Sequence, residues 1–426
     1  MITSQPTSSV KVPRKRITVY SVIALLGLVS MFMVHWRFGL GLILLAAILA
    51  LFSIPIRLNP LTFKKIKRFK EIRRGYYSFL ILLFLSILSL FSEMIANNRA
   101  LVVSYEGSLS FPTYADVKLG KEYGLTGPDA NAPVNYRELK SRFKAESEGN
   151  WVLMPVVPYG PNENNKYEGV LKPRPPKSFL LSKLLLMERD KDPESRHYLG
   201  TDSTGRDISS RIIYGFRIAI FFALAFMTLV YLIGITIGCL MGYFGGIFDL
   251  IVQRMIEIWS MVPFIYMVII IFSVIPSTFS ISTRVSILLG IMVLFSWTGM
   301  TYYMRTATYR EKARDYTAAA QIIGASPMRI IFHHILPNAI STIVTFMPFT
   351  MAAAITAITA LDFLGFGLPP PTPSIGEILK QGTARLDAPW IVICAFIALV
   401  MILTLVTFIG EAVREAFDPK KFTTYK

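Results

Sequence analysis

The chain has 426 residues, of which 53% are hydrophobic and only 17% charged, and its mean hydropathy is +0.51. Soluble chains of this length carry about a quarter charged residues, so an ordinary multidomain soluble protein is excluded. The net charge of +17 would suggest a nucleic-acid partner in a soluble protein, but its distribution reports membrane topology instead, and no nucleic acid is expected.

Eight stretches contain no Asp, Glu, Lys or Arg: 17–34, 38–56, 75–92, 218–248, 258–283, 285–304, 335–361 and 388–410. Each approaches the ~20 residues that cross a bilayer core at 1.5 Å per residue. None shows the polar face at 3.6 spacing that a buried helix of a soluble core would need. The first follows "KVPRKR" and lacks a small-residue cleavage site after it, which predicts a retained anchor instead of a signal peptide.

In chain order, residues 1–74 form a two-helix hairpin and a basic linker, "RLNPLTFKKIKRFKEIRR". That linker reads as an orientation signal drawn to anionic lipid headgroups. Residues 75–96 hold the third span, and 97–211 form a large extracytoplasmic insertion. Strand-like alternation in "ALVVSYEGSLSFP" and the proline-rich passages "MPVVPYGPNENN" and "LKPRPPKS" lie in it. Proline fixes φ and withholds a donor, so these passages are extended or lie at edges. Between them the composition permits a small folded lobe without compelling one. Residues 212–426 carry the remaining five spans and a short tail.

With the N-terminus cytoplasmic, the inside connections are 1–16, 57–74, 249–257, 305–334 and 411–426. They hold 22 of the 44 Lys and Arg residues against eight acids, as the positive-inside rule requires. Both termini are therefore expected in the cytoplasm, in an inner-membrane, multi-pass protein in contact with lipid.

Several chemistries are excluded. Cys239 and Cys394 both fall in apolar runs, and the four histidines lack zinc-ligand spacing, so neither a disulfide framework nor a metal site is expected. No aspartate occupies an apolar run, and no Ser or His has a base partner at helical spacing within a span. A P-loop is absent: Gly120-Lys121 has Ala115 where the first glycine belongs. Ionisable residues at membrane depth would mark an ion-coupled carrier, and the nearest pair, Arg254 and Glu257 at the start of the fifth run, is interfacial. Uphill transport by this chain must draw its energy from another subunit.

Three motifs flank the spans. In "GTDSTGRD", Asp202 is the candidate cap of the helix entering the fourth run, with Gly200 and Gly205 easing the turns and Asp207 close behind. By its residues the segment is a loop-to-helix junction. "GYFGG" at 242–246 allows a tight turn. "GFGLPPPTPS" contains Gly365, Gly367, Pro369 and Pro370 and cannot stay helical past Pro369. It is either a connector or an extended, re-entrant stretch beside a translocation path.

The stretch "DYTAAAQIIGASPMRIIFHHILPN", from Asp315 to Asn338, separates two spans. Good helix formers lead to Gly324, a natural residue just beyond a helix C-terminus. Ser326 as N-cap and Pro327 at the first helical position restart the helix, which runs to Leu336, and Pro337 marks entry into the next span. Ala318, Ala319 and Ala320 permit close backbone approach. The residues alone leave two readings: a knuckle seated in another protein's groove, or a surface helix packed on its own bundle.

This stretch resembles the EAA loop of binding-protein-dependent ABC importer permeases, in which E-A-A, a Gly and a terminal L-P recur at set spacing. Ala319, Ala320, Gly324, Leu336 and Pro337 match, whereas Ala318 stands where the family has Glu. Glu311 and Asp315 are the nearby carboxylates. "LGTDSTGRDISSRIIYGFRIAI", "GYFGGIFDLIVQRMIEIWSMVPF" and "LDFLGFGLPPPTPSIGEILKQG" resemble the dipeptide/oligopeptide C-type permeases. "RRGYYSFLILLFLSILSLFSEMIANNRALVVSYEGSLSFP" and "IGEAVREAFDPKK" are similar to the Yej-type branch, E subunit. The likeness covers residues 73–421, diverges over 163–196 and omits 1–72.

The resemblance implies an all-α membrane protein with a six-helix type I ABC importer permease core, two added N-terminal helices (eight spans in all) and a large extracytoplasmic insertion. It implies a non-enzymatic subunit that imports peptides or peptide-like compounds. No cofactor is expected in this chain, since ATP and Mg are used by separate ABC ATPase subunits. A second permease subunit, in a heterodimer, and an extracytoplasmic substrate-binding protein complete the expected partners. ATPase coupling falls to the hairpin within 305–338: Ala318, Ala319, Ala320, Gly324, Ala325, Ser326, Pro327, Arg329, His334, Leu336 and Pro337. Gly200, Asp202, Gly205, Asp207, Gly365, Gly367, Pro369 and Pro370 are the outer-gate candidates. The alternative is a non-transporting scaffold subunit of a transport complex.

Overall fold

The apolar stretch that follows Asp207 forms a single long helix, and most of the other long helices pack along it. The computed structural model describes residues 60–146, 149–166, 169–170, 172–184, 190–193, 195–276 and 278–418. The expected spans at 17–34 and 38–56 lie outside the described residues. The chain enters with α1 (Pro60–Glu71), so most of the basic linker is helical, and continues after Ile72 into α2 (Arg73–Leu90).

The insertion is not all-α. Strands β1 (Val102–Tyr105), β2 (Ser108–Ser110) and β3 (Trp151–Leu153) form an antiparallel sheet in the order β2-β1-β3. Glu106 and Gly107, with φ of 48° and 77°, make the two-residue hairpin turn, whose left-handed backbone conformation matches the right-handed twist of the paired strands. Helix α3 (Tyr136–Glu146) lays Leu139 and Phe143 against Val103 and Val152, giving the lobe its own small core. The all-α expectation fails here because alternating Val and Tyr residues bury one face of a sheet better than one stripe of a helix. The proline-rich passage that follows docks the lobe. Val157 pairs with Ala96, and both pack with Tyr159 against Ile213 and Tyr214 at the start of the next helix.

That helix is α4 (Ile208–Phe244), whose 37 residues span about 55 Å. The turn at Gly245–Gly246, both at positive φ, leads to α5 (Gly246–Ser260) and α6 (Phe264–Val274). The single span expected over 258–283 is thus broken: it takes in the end of α5, all of α6 and the start of α7, and α5 and α6 are bent by 72° to each other. Pro263 stands at the break, where it has no N–H for the helical ladder and a fixed φ. The expected inside connection 249–257 lies within α5.

Helix α7 (Ile281–Lys312) runs parallel to α4 and packs closely on it. Gly234, Gly238 and Gly242 meet Met300, Met304 and Thr308 in turn, and a β-carbon at Gly238 would come 2.5 Å from the Thr301 carbonyl. Glycines one turn apart therefore let two backbones touch. The register fixes direction: the end of α7 lies at the end of α4, where Lys312 Nζ donates to the Tyr243 carbonyl at 2.5 Å.

Beyond α7 come α8 (Asp315–Ile322) and α9 (Pro327–Ile330), a π-helical turn (Ile331–Ile335) and α10 (Leu336–Leu364). Pro337 does not mark a boundary, since the helix is continuous from Pro327 to Leu364 and also contains Pro348. Gly365, at φ 90°, ends it. Helix α11 (Ile375–Ala384) is short, and α12 (Trp390–Phe417) completes the described chain. Helix α2 closes on α12 at Gly75, where a β-carbon would meet Ala412.

Among the described residues, five helices are long and apolar enough to cross a membrane, and the bent α5–α6 pair makes a sixth if it is one span.

Candidate functional site

Two groups of residues singled out from the sequence end up at opposite ends of α4. At its C-terminal end, α8 and α9 form a helical hairpin. Gly324, at φ 86°, makes the turn, and the Ala325 N–H closes it on the Ala320 carbonyl at 3.0 Å. Ser326 holds the extended backbone of an N-cap and Pro327 opens α9, although the Ser326 side chain makes no capping bond.

The three alanines do not act as one face. Ala320 is buried with Thr317, while Ala318 and Ala319 are exposed. Arg329 and Pro337 are exposed, and His334 and Leu336 are half-buried. The His334 carbonyl accepts from Asn338 Nδ2 at 2.7 Å. Ile322 and Ile323, 87% and 84% exposed, form an apolar tip with Met328 and Phe332. Of the two carboxylates near Ala318, Glu311 is buried and accepts the Tyr316 hydroxyl at 3.0 Å, whereas Asp315 is exposed. The hairpin is therefore rigid in its backbone, tied to α7 at its base and apolar at its tip.

At the N-terminal end of α4 the motif "GTDSTGRD" meets, through charges, the helix α11 that follows "GFGLPPPTPS". The expected cap is corrected: Asp207, not Asp202, accepts the Ser210 N–H at 2.7 Å. Asp207 also faces His197 Nδ1 at 2.8 Å, and the imidazole stacks on Tyr159 at 3.7 Å between ring centroids. Burial pushes the Asp207 carboxyl up from its ordinary range. Asp202 instead closes its own loop, accepting the Thr204 and Arg206 N–H groups at 2.9 and 3.0 Å. Gly205, at φ 81°, lies so close to the Asn165 carbonyl that a β-carbon would sit 2.2 Å from it. Gly200, at φ 80°, lets Trp390 reach the Thr201 carbonyl at 3.1 Å.

Past Gly365, the chain folds back on the end of α10. Asp362 accepts the Leu368 N–H at 2.6 Å and the Ser374 hydroxyl, and Gly367 leaves no room for a β-carbon beside that carboxylate. Pro369 is buried, Pro370 is exposed, and the Pro370–Pro371 bond is cis. Ser374 caps α11 by accepting from the Glu377 N–H at 3.3 Å.

Glu377 then joins the two motifs. It accepts from Arg206 Nη2 at 2.9 Å and from Arg211 Nη2, while Arg206 Nε holds Asp202 at 2.8 Å. Gln381, one turn on, accepts from the Ser203 hydroxyl at 2.7 Å. Arg206, Arg211, Glu377, Gln381 and His197 were not singled out in the sequence. The available signal was a set of opposite charges inside the two quoted motifs, with nothing local to show that they meet.

A family described as "Binding-protein-dependent transport system inner membrane component" matches residues 234–423, from the middle of α4 to the end of α12. A YejE peptidoglycan transport system permease of Agrobacterium fabrum is 38% identical over 85% of this chain and 94% of its own. The YejE inner membrane ABC transporter permease of Escherichia coli is 40% identical over 86% of this chain and 99% of its own. The chain belongs to the family of binding-protein-dependent ABC transporter permeases. The OppC oligopeptide permease of Lactococcus lactis is 34% identical over 53% of this chain and 76% of its own. This permease thus belongs with inner-membrane transport components, and the hairpin and α11 both fall within the family match.

Proposed function

We propose that this permease imports peptides or peptide-bearing compounds into the cytoplasm, driven by ATP hydrolysed with Mg on separate ATPase subunits. The reading rests on one observation: a helical hairpin with an exposed apolar tip lies at one end of the bundle, and the folded insertion sits at the other. The tip, Ile322 and Ile323 with Met328 and Phe332, is the surface an ATPase groove would cover. The hairpin end then lies in the cytoplasm with both termini, and the insertion is extracytoplasmic, where a substrate-binding protein delivers. A second permease subunit completes the pathway, with outer-gate residues drawn from the 200–207 and 365–370 segments. The names of the relatives include peptidoglycan and oligopeptide transport, and their shared chemistry is a short peptide backbone.

The helix from Pro327 to Leu364 is unbroken, so a displacement of the hairpin is passed along about 57 Å of helix to Gly365 and α11. That gives ATP-driven closure a mechanical route to the far mouth. Gly324→Asp and Ile323→Asp should leave membrane insertion intact but abolish co-purification of the ATPase and uptake of defined peptides. Variants that still hold the ATPase and import peptide would overturn the assignment.

A further inference from the structure

The cluster around Glu377 carries more than a static joint requires. Four charges meet there: Asp202 and Arg211 are fully buried, while Arg206 is 11% and Glu377 24% exposed at the side chain. Apolar packing would join two helices at less desolvation cost, and α11 meets its other neighbours without ion pairs, by close backbone approach and the Ser374–Asp362 hydrogen bond. A β-carbon at Gly376 would sit 2.3 Å from the Thr359 carbonyl of α10, and one at Gly382 would sit 2.4 Å from Val392 N of α12. Helix α11 is therefore wedged without spacing side chains against α10 and α12, and it meets the 202–211 segment through charges.

The wiring is redundant in a specific way. Arg206 already touches both carboxylates, Asp202 through Nε and Glu377 through Nη2. Arg211 holds Glu377 through Nη2, while its Nε is buried without a hydrogen-bond partner, 3.6 Å from Asp202 Oδ2. That distance is too long for a hydrogen bond, and a small shift would close it. Glu377 belongs to α11, and through Ser374 and Asp362 to α10 and the hairpin. Asp202 belongs to the α4 side.

We propose that Asp202, Arg206, Arg211 and Glu377 form an exchange latch at the mouth opposite the hairpin. When the mouth opens, Glu377 leaves with α11, and both guanidiniums fall back on Asp202, with Arg211 Nε completing the new pair. Each guanidinium keeps a carboxylate partner in either state, which lowers the cost of opening relative to leaving Arg211 alone. A latch of this kind has two discrete arrangements, and the hairpin selects between them through α10. The inference rests on the proposed transport function.

The test uses the assembled complex of permease pair and ATPases in lipid nanodiscs, with spin labels on Ser203→Cys and Gln381→Cys. Cys239 and Cys394 are buried, and the unsubstituted chain measures their background labelling. The separation of the labels should differ between nucleotide-free and ATP-trapped complexes. A short bifunctional thiol crosslinker across the same two positions should stop uptake, and reduction should restore it. Glu377→Gln should raise ATP hydrolysis without substrate several-fold, because the closed state loses its tie. Asp202→Asn should instead abolish uptake in an assembled complex, because Arg211 then has no counter-ion once the mouth opens. A fixed label separation with intact ATP hydrolysis, or uptake that survives crosslinking, overturns the latch and leaves the transport function standing. A complex that assembles but never couples ATP to uptake overturns both.

Discussion

Arg305 and Asp249 face each other across α7 and α5 in a two-pronged ion pair, with Nε 2.5 Å from Oδ1 and Nη2 2.6 Å from Oδ2. The Tyr309 hydroxyl donates to the same carboxylate at 2.7 Å. The pair ties the bent α5–α6 unit to the helix that leads into the hairpin. Bidentate guanidinium–carboxylate contacts fix orientation as well as distance.

Removing Arg305 should therefore loosen α5 while the rest of the bundle holds. Asp249 is buried, so Arg305→Ala leaves a carboxylate without its cation and should cost about 2 kcal/mol. Arg305→Lys should recover only part of this, since a single ammonium cannot reproduce the fork. Thermal unfolding in detergent, read by size-exclusion chromatography of the surviving folded fraction, gives the order wild type, Lys, Ala. Equal midpoints would show that α5 is held by its apolar contacts alone.

The α4–α7 seam predicts opposite outcomes for two helical glycines. A side chain at Gly238 meets the Thr301 carbonyl at 2.5 Å and Met304 Cβ at 2.8 Å, whereas nothing lies within 4 Å of a β-carbon at Gly290. Gly238→Val should destabilise by about 1–3 kcal/mol through overpacking. Gly290→Ala should be neutral or stabilise by roughly 0.5–1 kcal/mol, the usual difference between Gly and Ala in a helix. The same melting assay separates them, and comparable yields and midpoints for both would contradict the close packing.

Two turn glycines share a positive φ and differ in their surroundings. Gly324 at 86° has open space around it, and Gly205 at 81° faces the Asn165 carbonyl. Gly324→Ala should cost only the left-handed strain of about 1–2 kcal/mol. Gly205→Ala should cost clearly more, because the added carbon has to displace backbone. Midpoints that fall equally for both variants would mean that the Asn165 segment yields freely.

Acid should release one clamp in the insertion. Burial disfavours the charge on Asp190, but hydrogen bonds and the Arg174 guanidinium, whose Nε lies 2.9 Å away, outweigh it and hold the carboxyl below its ordinary range. A depressed folded value stabilises above the unfolded carboxyl's pKa of about 4, and this stabilisation is lost as pH falls through the lower folded value. Hydrogen exchange of the Thr201 amide, which donates to the Arg174 carbonyl at 3.0 Å, should thus be flat from neutrality to near pH 4 once corrected for intrinsic rates. It should then rise under more acid conditions. Asp190→Asn should exchange faster at neutral pH and lose the acid step.

The sequence came closest to the fold where interactions are local. Gly324 and the Ser326–Pro327 pair encode turn and restart within a few residues, and the hairpin forms as those residue types require. Legibility failed where one residue's role depends on a distant one. Asp202 and Asp207 are equally good caps by residue type, and only the packing of His197 and Ser210 gives the cap to Asp207. The Pro263 break was hidden by unbroken hydrophobicity, because apolar composition reports burial in lipid and says nothing of where a helix bends.

By itself, the sequence determined that this chain lies in a membrane and presents a short helical knuckle between two spans. Those properties follow from run length and turn residues, which act over a few turns of backbone. Only the tertiary structure placed the knuckle and the insertion at opposite ends of α4 and brought Arg206 and Arg211 to Glu377. Those contacts span 171 and 166 residues of chain, and no local propensity specifies which distant carboxylate satisfies a buried guanidinium.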